Sequence, residues 1–549
     1  MKIALAQLNY LIGDFEGNSK KISEAINQSQ QAGVDLVVFA ELALTGYPPR
    51  DFLEFDDFIL KAEAAMRKIA VECIGIAAII GAPSRNLSGK GKPLFNTAWF
   101  LSNGKVQHLT HKSLLPNYDV FDEYRYFEPS AEFNIVEYKG KKLAITICED
   151  IWNVGENPLY IRFPMEELIG YSPDLIINIA ASPFHYNQSL IRKQVLRNNA
   201  LKYKLPVVYV NHVGAQTELI FDGDSAVCDD GGNIRESLSK FGEDIRVVDI
   251  DESFYGTSPV AEVKISEKDT DISLIHDALV LGIHDYFGKL GFRKAILGLS
   301  GGIDSAVTMA LAAEALGPEN VRGILLPSEF SSDHSIADAR QLALNLGSPH
   351  DVISIEKTYT AFESSLEPFF RGMPFGLAEE NLQARARAVI LMAMSNKFGY
   401  ILLNTSNKSE AAVGYGTLYG DMCGGISVLG DVYKTDVFRL ARYINRNQEI
   451  IPENTITKPP SAELRPGQMD SDSLPAYDLL DRLLYQYIEQ RKGPRELEAM
   501  GFESALVKRV LRMVNTNEWK RYQTPPILRI SPKAFGTGRR MPIVGKYLS

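Results

Sequence analysis

The chain has 549 residues, of which 45% are hydrophobic and 23% are charged, and its formal net charge at pH 7 is −10. A chain of this length is too long for a single hydrophobic core and predicts roughly two to four domains. The composition is typical of a globular protein and excludes extensive disorder. The negative charge argues against nonspecific nucleic-acid binding, and no apolar run reaches membrane-spanning length.

The N-terminal stretch predicts a first strand rather than a secretory signal. In "MKIALAQLNYLIGDFEG" a short apolar run is broken by Gln7, Asn9 and Gly13, and no small-residue cleavage site follows. The four cysteines lie far apart and form no paired metal-ligand spacing. We therefore expect a reduced, cytoplasmic protein.

The first half of the chain alternates β-rich runs with helical ones. This spacing predicts a layered α/β domain with a mixed sheet over residues 1–256. The stretch "SPVAEVKISEKDTD" is polar and lacks helical periodicity, and it indicates a linker over residues 257–271. The predicted strands lie, in chain order, in "DLVVFAE", "IAAIIGAP", "NTAWFLSNG", "KLAITICED", "DLIINIAAS", "LPVVYVNHVG" and "SAVCDDGGNI".

In three places in this half, a reactive side chain stands at the end of a strand-like run. These side chains are Glu41, Lys112 and Cys148. Taken singly, a cysteine at the end of an apolar strand is more often a packed core residue than a nucleophile. Together, a thiol, a carboxylate base and an ammonium group form a complete set for attack on an amide carbonyl. The ammonium group can hold the thiol deprotonated and stabilise the oxyanion.

The segments around these residues resemble the nitrilase family of carbon-nitrogen hydrolases. This resemblance implies an α/β/β/α sandwich in which Cys148 is the nucleophile, Glu41 the general base and Lys112 the oxyanion stabiliser. Glu123, eleven residues after Lys112, matches the supporting second glutamate of that family. The resemblance also implies glutamine contacts at Tyr118, Ser182 and Gln188, the last at a position where relatives often carry a basic residue.

The second half, predicted to form a domain of residues 272–549, alternates helices and strands. This order predicts a doubly wound parallel sheet with ligands at the carboxyl ends of its strands. The helices are predicted in "ISLIHDALVLGIHDYFGKLG", "AVTMALAAEALG", "IADARQLALNLG" and "NLQARARAVILMAMSNKFG", and the strands in "KAILGL", "VRGILLP", "HDVISI" and "YILLNTSN".

A glycine-rich loop, "LGLSGGIDSA", joins the first strand and second helix of this half. Glycines let backbone amides approach a ligand, and the following helix adds the positive end of its dipole, so the loop indicates a phosphate cradle. A glycine turn without a ligand is the alternative. The loop lacks the lysine and four-residue spacer of a Walker A motif. It resembles instead the pyrophosphatase loop of the N-type ATP pyrophosphatases, which cleave ATP between the α and β phosphates.

Further segments of the second half resemble the NAD synthetases in particular. Because the first half is nitrilase-like, the whole chain resembles the glutamine-dependent members of that family. The resemblance implies that glutamine is hydrolysed through a cysteine thioester and that ATP adenylates deamido-NAD(+). Ammonia then gives NAD(+), with release of AMP and pyrophosphate. The segments are "EENLQARAR", "LLNTSNKSEAAVGYGTLYGD", "VYKTDVFRLARYI", "KPPSAELRPGQ" and "ISPKAFGTGRRMPI".

This resemblance assigns residues to the substrates and to a magnesium ion. Magnesium is implied at Asp304 and Glu410, since oxygen donors suit a hard cation that bridges phosphates. Deamido-NAD contacts are implied at Asn381, Arg387, Glu410 and Lys533. ATP contacts are implied at Gly298, Leu299, Ser300, Gly301, Gly302, Ile303, Asp304, Ser305, Thr405, Lys434 and Ser461.

One position departs from several ammonia-dependent relatives. Where those proteins carry a lysine eight residues after the magnesium glutamate, this chain has Leu418. Tyr415 and Asp421 are candidates to replace that contact.

The expected partners are small molecules, with no nucleic acid and no membrane, and the resemblance implies a homo-oligomer with paired synthetase domains. Because ammonium has no lone pair, a protected route for neutral ammonia between Cys148 and Ser300 is expected. Two other functions are also compatible with both sets of motifs. They are an amidoligase with a different acceptor and an amidase with a regulatory nucleotide-binding domain. A non-catalytic scaffold is disfavoured, because the polar residues of both sites are present.

Overall fold

The computed structural model describes residues 1–155, 158–258 and 271–548. The chain divides into two compact units, here called unit 1 (residues 1–269) and unit 2 (residues 270–549). The predicted linker at residues 257–271 falls mostly on residues 259–270, which lie outside the described residues. Within the described ranges, no helix is both long enough and apolar enough to cross a lipid bilayer.

Unit 1 contains two large β-sheets, a separate hairpin and four α-helices, counted over the described residues. The helices are α1 (Phe15–Gln31), α2 (Asp56–Glu72), α3 (Pro164–Ile169) and α4 (Gln188–Tyr203). The strands are β1 (Lys2–Gln7), β2 (Leu36–Val38), β3 (Ala77–Arg85), β4 (Leu94–Ser102), β5 (Lys105–His111), β6 (Val136–Tyr138), β7 (Lys141–Ile147), β8 (Leu175–Ala180), β9 (Val207–Asn211), β10 (Val213–Gln216), β11 (Leu219–Asp222), β12 (Ala226–Cys228), β13 (Ile234–Ser237) and β14 (Asp244–Asp249).

The two sheets of unit 1 have similar plans. The first has the strand order β14-β1-β2-β3-β4-β5 and the second β13-β12-β9-β8-β7-β6, while β10 pairs with β11. In each sheet three central strands run parallel, β1 to β3 and β7 to β9, and the outer strands pair antiparallel. The mixed sheet predicted from the sequence is therefore confirmed.

Alternating side chains decide how these layers pack, because successive residues of a strand face opposite sides of its sheet. On β1, Ile3 and Leu5 enter the core between the two sheets. Ala4 and Ala6 point the other way, into a core that α1 and α2 share with the first sheet. With α4 against the second sheet, the unit is the expected α/β/β/α sandwich.

Unit 2 is built on a parallel sheet with the strand order β17-β16-β15-β18-β19. Its strands are β15 (Ala295–Gly298), β16 (Val321–Leu325), β17 (His350–Val352), β18 (Ile401–Asn404) and β19 (Ile426–Ser427). Its helices are α5 (Ile272–Leu290), α6 (Ile303–Leu316), α7 (Asp333–Leu346), α8 (Glu356–Phe370), α9 (Leu377–Phe398), α10 (Lys408–Val413), α11 (Lys434–Ile444), α12 (Glu453–Thr457), α13 (Tyr477–Leu484), α14 (Pro494–Ala499), α15 (Ser504–Thr516) and α16 (Glu518–Arg521).

The strand order confirms the predicted doubly wound sheet. The chain leaves the central strand β15 toward β17 and then returns to the other side of β15 at β18, so the order reverses at β15. Ligands of open parallel sheets bind at such a reversal. The helix α8, which the predicted alternation did not include, lies between β17 and α9.

One close backbone contact fixes the segment after β2. Gly81 on β3 donates its N–H to the carbonyl of Ala40 at 3.2 Å, and its carbonyl accepts the N–H of Leu44 at 3.2 Å. A Cβ atom at Gly81 would lie 2.2 Å from the nitrogen of Leu42 and 2.5 Å from the oxygen of Ala40. Since these are backbone atoms, they can yield only if residues 40–42 move.

We predict that Gly81→Ala lowers the free energy of unfolding by at least about 1–3 kcal/mol, the usual range for an overpacked interior site. The measurement is urea denaturation followed by circular dichroism. Gly242→Ala is the matched control, because a Cβ there meets no atom within 4 Å. It should change stability by less than about 0.5 kcal/mol. Equal urea midpoints for the two variants would contradict the close contact.

Candidate active sites

In unit 1, one buried ammonium group joins two buried carboxylates. The Nζ atom of Lys112 lies 2.7 Å from Oε1 of Glu41 and 2.9 and 2.8 Å from the two carboxylate oxygens of Glu123. The side chains of Lys112 and Glu41 are 0% exposed to solvent. Burial raises the pKa of Glu123 to about 7, against the lowering by Lys112 and with a further rise from Glu41. The cluster therefore buries one positive charge against two carboxylates.

The ends of the strands place these residues. Glu41 follows β2 and Lys112 follows β5, both in the first sheet, while Cys148 follows β7 in the second sheet. Cys148 has a φ angle of +41°, in the left-handed region that costs a non-glycine residue about 1–3 kcal/mol. The backbone thus turns sharply at the sulfur-bearing residue.

Asp150 holds this turn against the segment that follows Lys112. Its carboxylate accepts the backbone N–H groups of Ser113 at 3.0 Å, Leu114 at 2.8 Å and Ile147 at 3.1 Å. Burial raises its pKa to about 6. The sequence analysis assigned Asp150 no role, because an acidic residue after a strand does not reveal which backbone amides it will meet.

The thiol of Cys148 is buried beside the cluster. Burial raises its pKa well above the ordinary value, the charge of Glu41 raises it further, and Lys112 lowers it by less. These influences favour the protonated thiol. They oppose the expected effect of Lys112, because the two carboxylates that Lys112 contacts offset its charge. A thiol in this state would need a base in order to act as a nucleophile.

The three residues assigned to glutamine form two small groups. The hydroxyl of Tyr118 donates to the carboxylate of Glu149 at 2.9 Å, and Glu149 directly follows Cys148. Burial raises the pKa of Glu149. Gln188 donates from Nε2 to Oγ of Ser182 at 3.0 Å. Glu149, which the sequence analysis left without a role, thus links Tyr118 to the turn at Cys148.

In unit 2, the glycine loop lies between the carboxyl end of β15 and the N-terminus of α6. Gly301 has a φ angle of +83°, and a Cβ atom there would lie 2.2 Å from the carbonyl oxygen of Ser335. Oγ of Ser300 accepts the N–H of Gly302 at 3.2 Å and lies 3.2 Å from Oγ of Ser305. Backbone amides at a helix N-terminus attract anions.

Two adjoining cavities meet at this loop. The smaller, of about 250 Å³, has an apolar wall that includes Leu326 and Leu391. The larger, of about 470 Å³, is lined mainly by polar side chains. Of the predicted ATP residues, the smaller cavity is lined by Gly298, Leu299, Ser300 and Thr405, and the larger by Ser300, Gly302, Ile303, Asp304, Ser305, Thr405, Lys434 and Ser461.

The larger cavity contains a second ammonium group between two carboxylates. Nζ of Lys434 lies 2.5 Å from Oδ2 of Asp304 and 3.4 Å from Oε1 of Glu410. Asn407 donates from Nδ2 to Oδ1 of Asp304 at 2.9 Å. Burial raises the pKa of Glu410 to about 8, with a further rise from the charge of Asp304 and a lowering by Lys434. Two carboxyl groups therefore share one ammonium group, and burial favours a proton on Glu410 at neutral pH.

Protein side chains alone do not form a metal site here. Across the described ranges, no group of three or more histidine, cysteine, aspartate or glutamate side chains is arranged to hold a metal ion. Asp304 and Glu410 can supply at most two protein ligands, so a hard cation between them would need further oxygens from a ligand.

The structure separates the residues assigned to deamido-NAD. Arg387 lines the smaller cavity and donates from Nε to the carbonyl of Leu326 at 3.0 Å, and burial lowers its pKa to about 10. Asn381 accepts from the hydroxyl of Thr417 at 2.7 Å, and the ammonium group of Lys533 donates to the carbonyl of Gly538. Among the described residues that line the two cavities, neither Asn381 nor Lys533 occurs.

Leu418, which stands where several ammonia-dependent relatives carry a lysine, is buried. Its carbonyl accepts a hydrogen bond from Nε of Arg385 at 3.2 Å. Asp421 lines both cavities, and burial raises its pKa to about 6. The hydroxyl of Tyr415, which lines the larger cavity, donates to Asp470 at 3.2 Å. Both candidate replacements therefore border the larger cavity.

Lys408 is a third buried ammonium group that sequence reasoning missed. Its Nζ atom lies 2.9 Å from Asp431 and 2.7 Å from Glu489, and it donates to the carbonyl of Lys533 at 3.0 Å. It thereby ties the C-terminal segment that carries Lys533 to α10, which carries Glu410. A lysine in "TSNKSE" gives no local sign that it will be fully buried.

Comparisons with known proteins agree across both units. Residues 2–258 match the carbon-nitrogen hydrolase family, and residues 275–524 match the NAD synthase family. A glutamine-dependent NAD(+) synthetase of Synechocystis sp. is 45% identical over 98% of each chain. One of Thermotoga maritima is 40% identical over 100% of this chain and 99% of its own.

A solved structure gives the same result. The glutamine-dependent NAD+ synthetase of Acinetobacter baumannii, in complex with ADP, is 38% identical with a TM-score of 0.76. The match covers 99% of this chain and 98% of that one.

We predict that Lys112→Met lowers the free energy of unfolding by about 3–5 kcal/mol, because it leaves two buried carboxylates without their cation. The double variant Lys112→Met/Glu123→Gln should regain part of this loss, since one carboxylate charge is removed. Urea denaturation at pH 7 measures both. Lys139→Met is the control, because its ion pair with Asp35 is partly exposed. It should cost less than about 1 kcal/mol. A loss of the same size in Lys112→Met and Lys139→Met would contradict this account.

Proposed function

The chain belongs to the glutamine-dependent NAD(+) synthetases, and we propose that unit 1 hydrolyses glutamine while unit 2 uses ATP to convert deamido-NAD(+) to NAD(+). Members of this family are ligases that take an amide nitrogen from glutamine and convert ATP to AMP and pyrophosphate. The observation that best supports the assignment of glutamine hydrolysis to unit 1 is the buried Glu41–Lys112–Glu123 cluster beside Cys148. It supplies a nucleophile, a base and a cation on one unit.

In unit 1, Sγ of Cys148 attacks the carboxamide carbon of glutamine while Glu41 accepts the thiol proton. Lys112 stabilises the oxyanion, and the proton then passes from Glu41 to the departing nitrogen, so ammonia leaves and a thioester remains. Water hydrolyses the thioester to glutamate. Glu123 supports this step by sharing the Lys112 ammonium group. Tyr118, Ser182 and Gln188 contact glutamine.

In unit 2, the smaller cavity holds the adenine and ribose of ATP, and the larger cavity holds its phosphates against the loop from Ser300 to Ser305. This assignment is supported by the apolar wall of the first cavity and by the helix N-terminus and Lys434 at the second. The carboxylate of deamido-NAD(+) attacks the α-phosphate, pyrophosphate leaves, and ammonia displaces AMP from the adenylate.

Asp304 and Glu410 fit a magnesium ion. Their two carboxyl groups share one ammonium group, and a divalent cation held by both would favour the ionised form of Glu410. Mg²⁺ held by these residues would supply positive charge to the departing pyrophosphate. Lys434 adds a fixed charge beside it.

For deamido-NAD(+), Asn381, Glu410 and Lys533 remain the proposed contacts. The position of Arg387 on the smaller cavity favours a contact with ATP instead. Asp421 lines both cavities and is the better placed replacement for the lysine missing at Leu418. The triad of Asp304, Glu410 and Lys434 has no purpose in an amidase with a merely regulatory nucleotide site.

A homo-oligomer with paired synthetase domains and a cytoplasmic location complete the proposal. The helix α9 leaves Val389, Met392 and Phe398 exposed, and apolar groups on one helix are commonly covered by a partner subunit. The four cysteines are all free, as expected in a reducing compartment. Sedimentation of the purified protein measures the number of copies.

We predict that Cys148→Ala abolishes NAD(+) formation from glutamine and preserves formation from ammonium salts at mildly alkaline pH. The variant cannot form a thioester, whereas the groups that activate deamido-NAD(+) lie on unit 2. NAD(+) is measured with each donor in parallel, and circular dichroism confirms folding. Cys228→Ala, the buried cysteine of β12, is the control and should keep both activities. Glutamine-dependent synthesis in the folded Cys148→Ala variant would refute the nucleophile.

We predict that Asp304→Ala abolishes NAD(+) formation with either nitrogen donor and leaves glutamate release from glutamine intact. Activation precedes amide formation and needs the charge that Asp304 helps to bind. Pyrophosphate release in excess Mg²⁺ is the direct measurement. Asp333→Ala, an acidic residue in the first turn of α7, should retain pyrophosphate release. Near-normal release by Asp304→Ala would remove Asp304 from the metal site.

A further inference from the structure

The catalytic cluster of unit 1 has a further member, Asn96. Its side chain is 1% exposed, and its Nδ2 group donates to Oε1 of Glu41 at 2.7 Å and lies 3.4 Å from Oε2 of Glu123. Its backbone carbonyl accepts the N–H of Lys112 at 2.8 Å. One residue thus contacts the base, its supporting carboxylate and the lysine.

The strand explains why Asn96 points into the cluster. Side chains of β4 alternate, and Ala98, two residues on, packs in the core between the two sheets. Asn96 lies on that same face, toward the sheet that carries Cys148. A polar side chain on this apolar face costs free energy to bury, so packing alone does not explain its presence.

The orientation of the amide is fixed, and it has a cost. Reversing the group would turn its carbonyl oxygen toward two carboxylates, which is electrostatically unfavourable. In the orientation found, Oδ1 is buried and has no hydrogen-bond partner among the described residues. An unsatisfied buried polar atom is destabilising, so the N–H donor has a use other than stability.

The two oxygens of Glu41 differ in what they accept. Oε1 accepts from both Asn96 and Lys112, each at 2.7 Å, which occupies its two lone pairs. Among the described residues, Oε2 accepts only the N–H of Ala181, at 2.9 Å. Oε2 therefore keeps a lone pair for a proton.

We propose that Asn96 is a positioning residue of the glutaminase reaction, which occupies Oε1 of Glu41 and so directs the thiol proton of Cys148 to Oε2. The S–H bond breaks, the proton binds Oε2, and the electron pair stays on sulfur to form the bond to the substrate carbon. This inference rests on the proposed roles of Glu41 and Cys148. Lys112, Glu123 and the thiol are titratable groups beside Glu41. Two more are Tyr47, whose pKa the charge of Glu41 raises, and His212, whose Nε2 contacts the backbone carbonyl of Glu41.

The first test compares Asn96→Leu with Asn199→Leu. Asn199 is also a buried asparagine of unit 1 with an unpartnered Oδ1, but it donates to the backbone carbonyls of Ile151 and Val195. We expect Asn96→Leu to lower kcat for glutamine hydrolysis about 10- to 100-fold with less than a twofold change in KM. Asn199→Leu should keep kcat within about threefold of the parent enzyme. Equal kcat values for the two variants would overturn the proposal.

A second variant, Asn96→Asp, preserves the shape and tests the donor. Beside two carboxylates the new acid is held protonated at low pH, where its O–H group can donate to Glu41, and it loses the donor as pH rises. We expect the alkaline limb of its kcat/KM profile for glutamine to shift to lower pH. A profile parallel to that of the parent enzyme would overturn the proposal even if Asn96→Leu did not fold.

Two controls separate this proposal from the function on which it rests. NAD(+) formation from ammonia by the Asn96 variants should match the parent enzyme, because that step needs no thiol. If Cys148→Ala retained glutamine hydrolysis, the proposed function itself would fail. If Cys148→Ala were inactive and both Asn96 variants hydrolysed glutamine normally, only the role of Asn96 would be refuted.

Discussion

A buried ammonium group held between two carboxylates is the interaction on which both candidate sites depend. Lys112 in unit 1 and Lys434 and Lys408 in unit 2 all have this arrangement. A lysine alone would lose its charge on burial, and two carboxylates alone would repel each other and take up protons. Together they remain buried, but each set has one carboxyl group more than its ammonium group can neutralise, and the surroundings of this excess carboxyl group differ among the three sets.

The chemistry of each set follows from what surrounds this excess. In unit 1 it lies beside a thiol, which favours the protonated thiol and suits the proposed role of a carboxylate as base. At Lys434 it faces the larger cavity, the proposed site of the divalent cation and phosphates. At Lys408 it is met by backbone donors, since Asp431 accepts the N–H groups of Ile530 and Ser531. The first two sets are suited to reactions and the third to holding the chain.

Much of the fold and of the catalytic segments could be predicted from the sequence, because strand alternation, helical periodicity and the glycine loop are local patterns. Cys148 was located at the end of a predicted strand and Asp304 in the glycine loop for that reason. Asn96, Asp150 and Lys408 were not, since their meaning lies in partners far along the chain. The raised pKa of the thiol was not foreseen for the same reason. A nearby cation lowers a pKa less effectively when burial and other charges oppose it, and that balance is visible only in the assembled cluster.

A protonated thiol also suits the product that unit 2 requires. When glutamine is attacked, its leaving nitrogen needs one proton to become ammonia, and the thiol gives up one proton. If Glu41 carries that proton from sulfur to nitrogen, formation of the thioester takes no proton from water and releases the neutral molecule. A thiolate whose proton had left both Cys148 and Glu41 would lack that proton, and an external acid would have to supply it. Because only neutral ammonia has the lone pair that attacks an adenylate, a proton kept on the pair of Cys148 and Glu41 would serve the reaction of the other unit as well as its own.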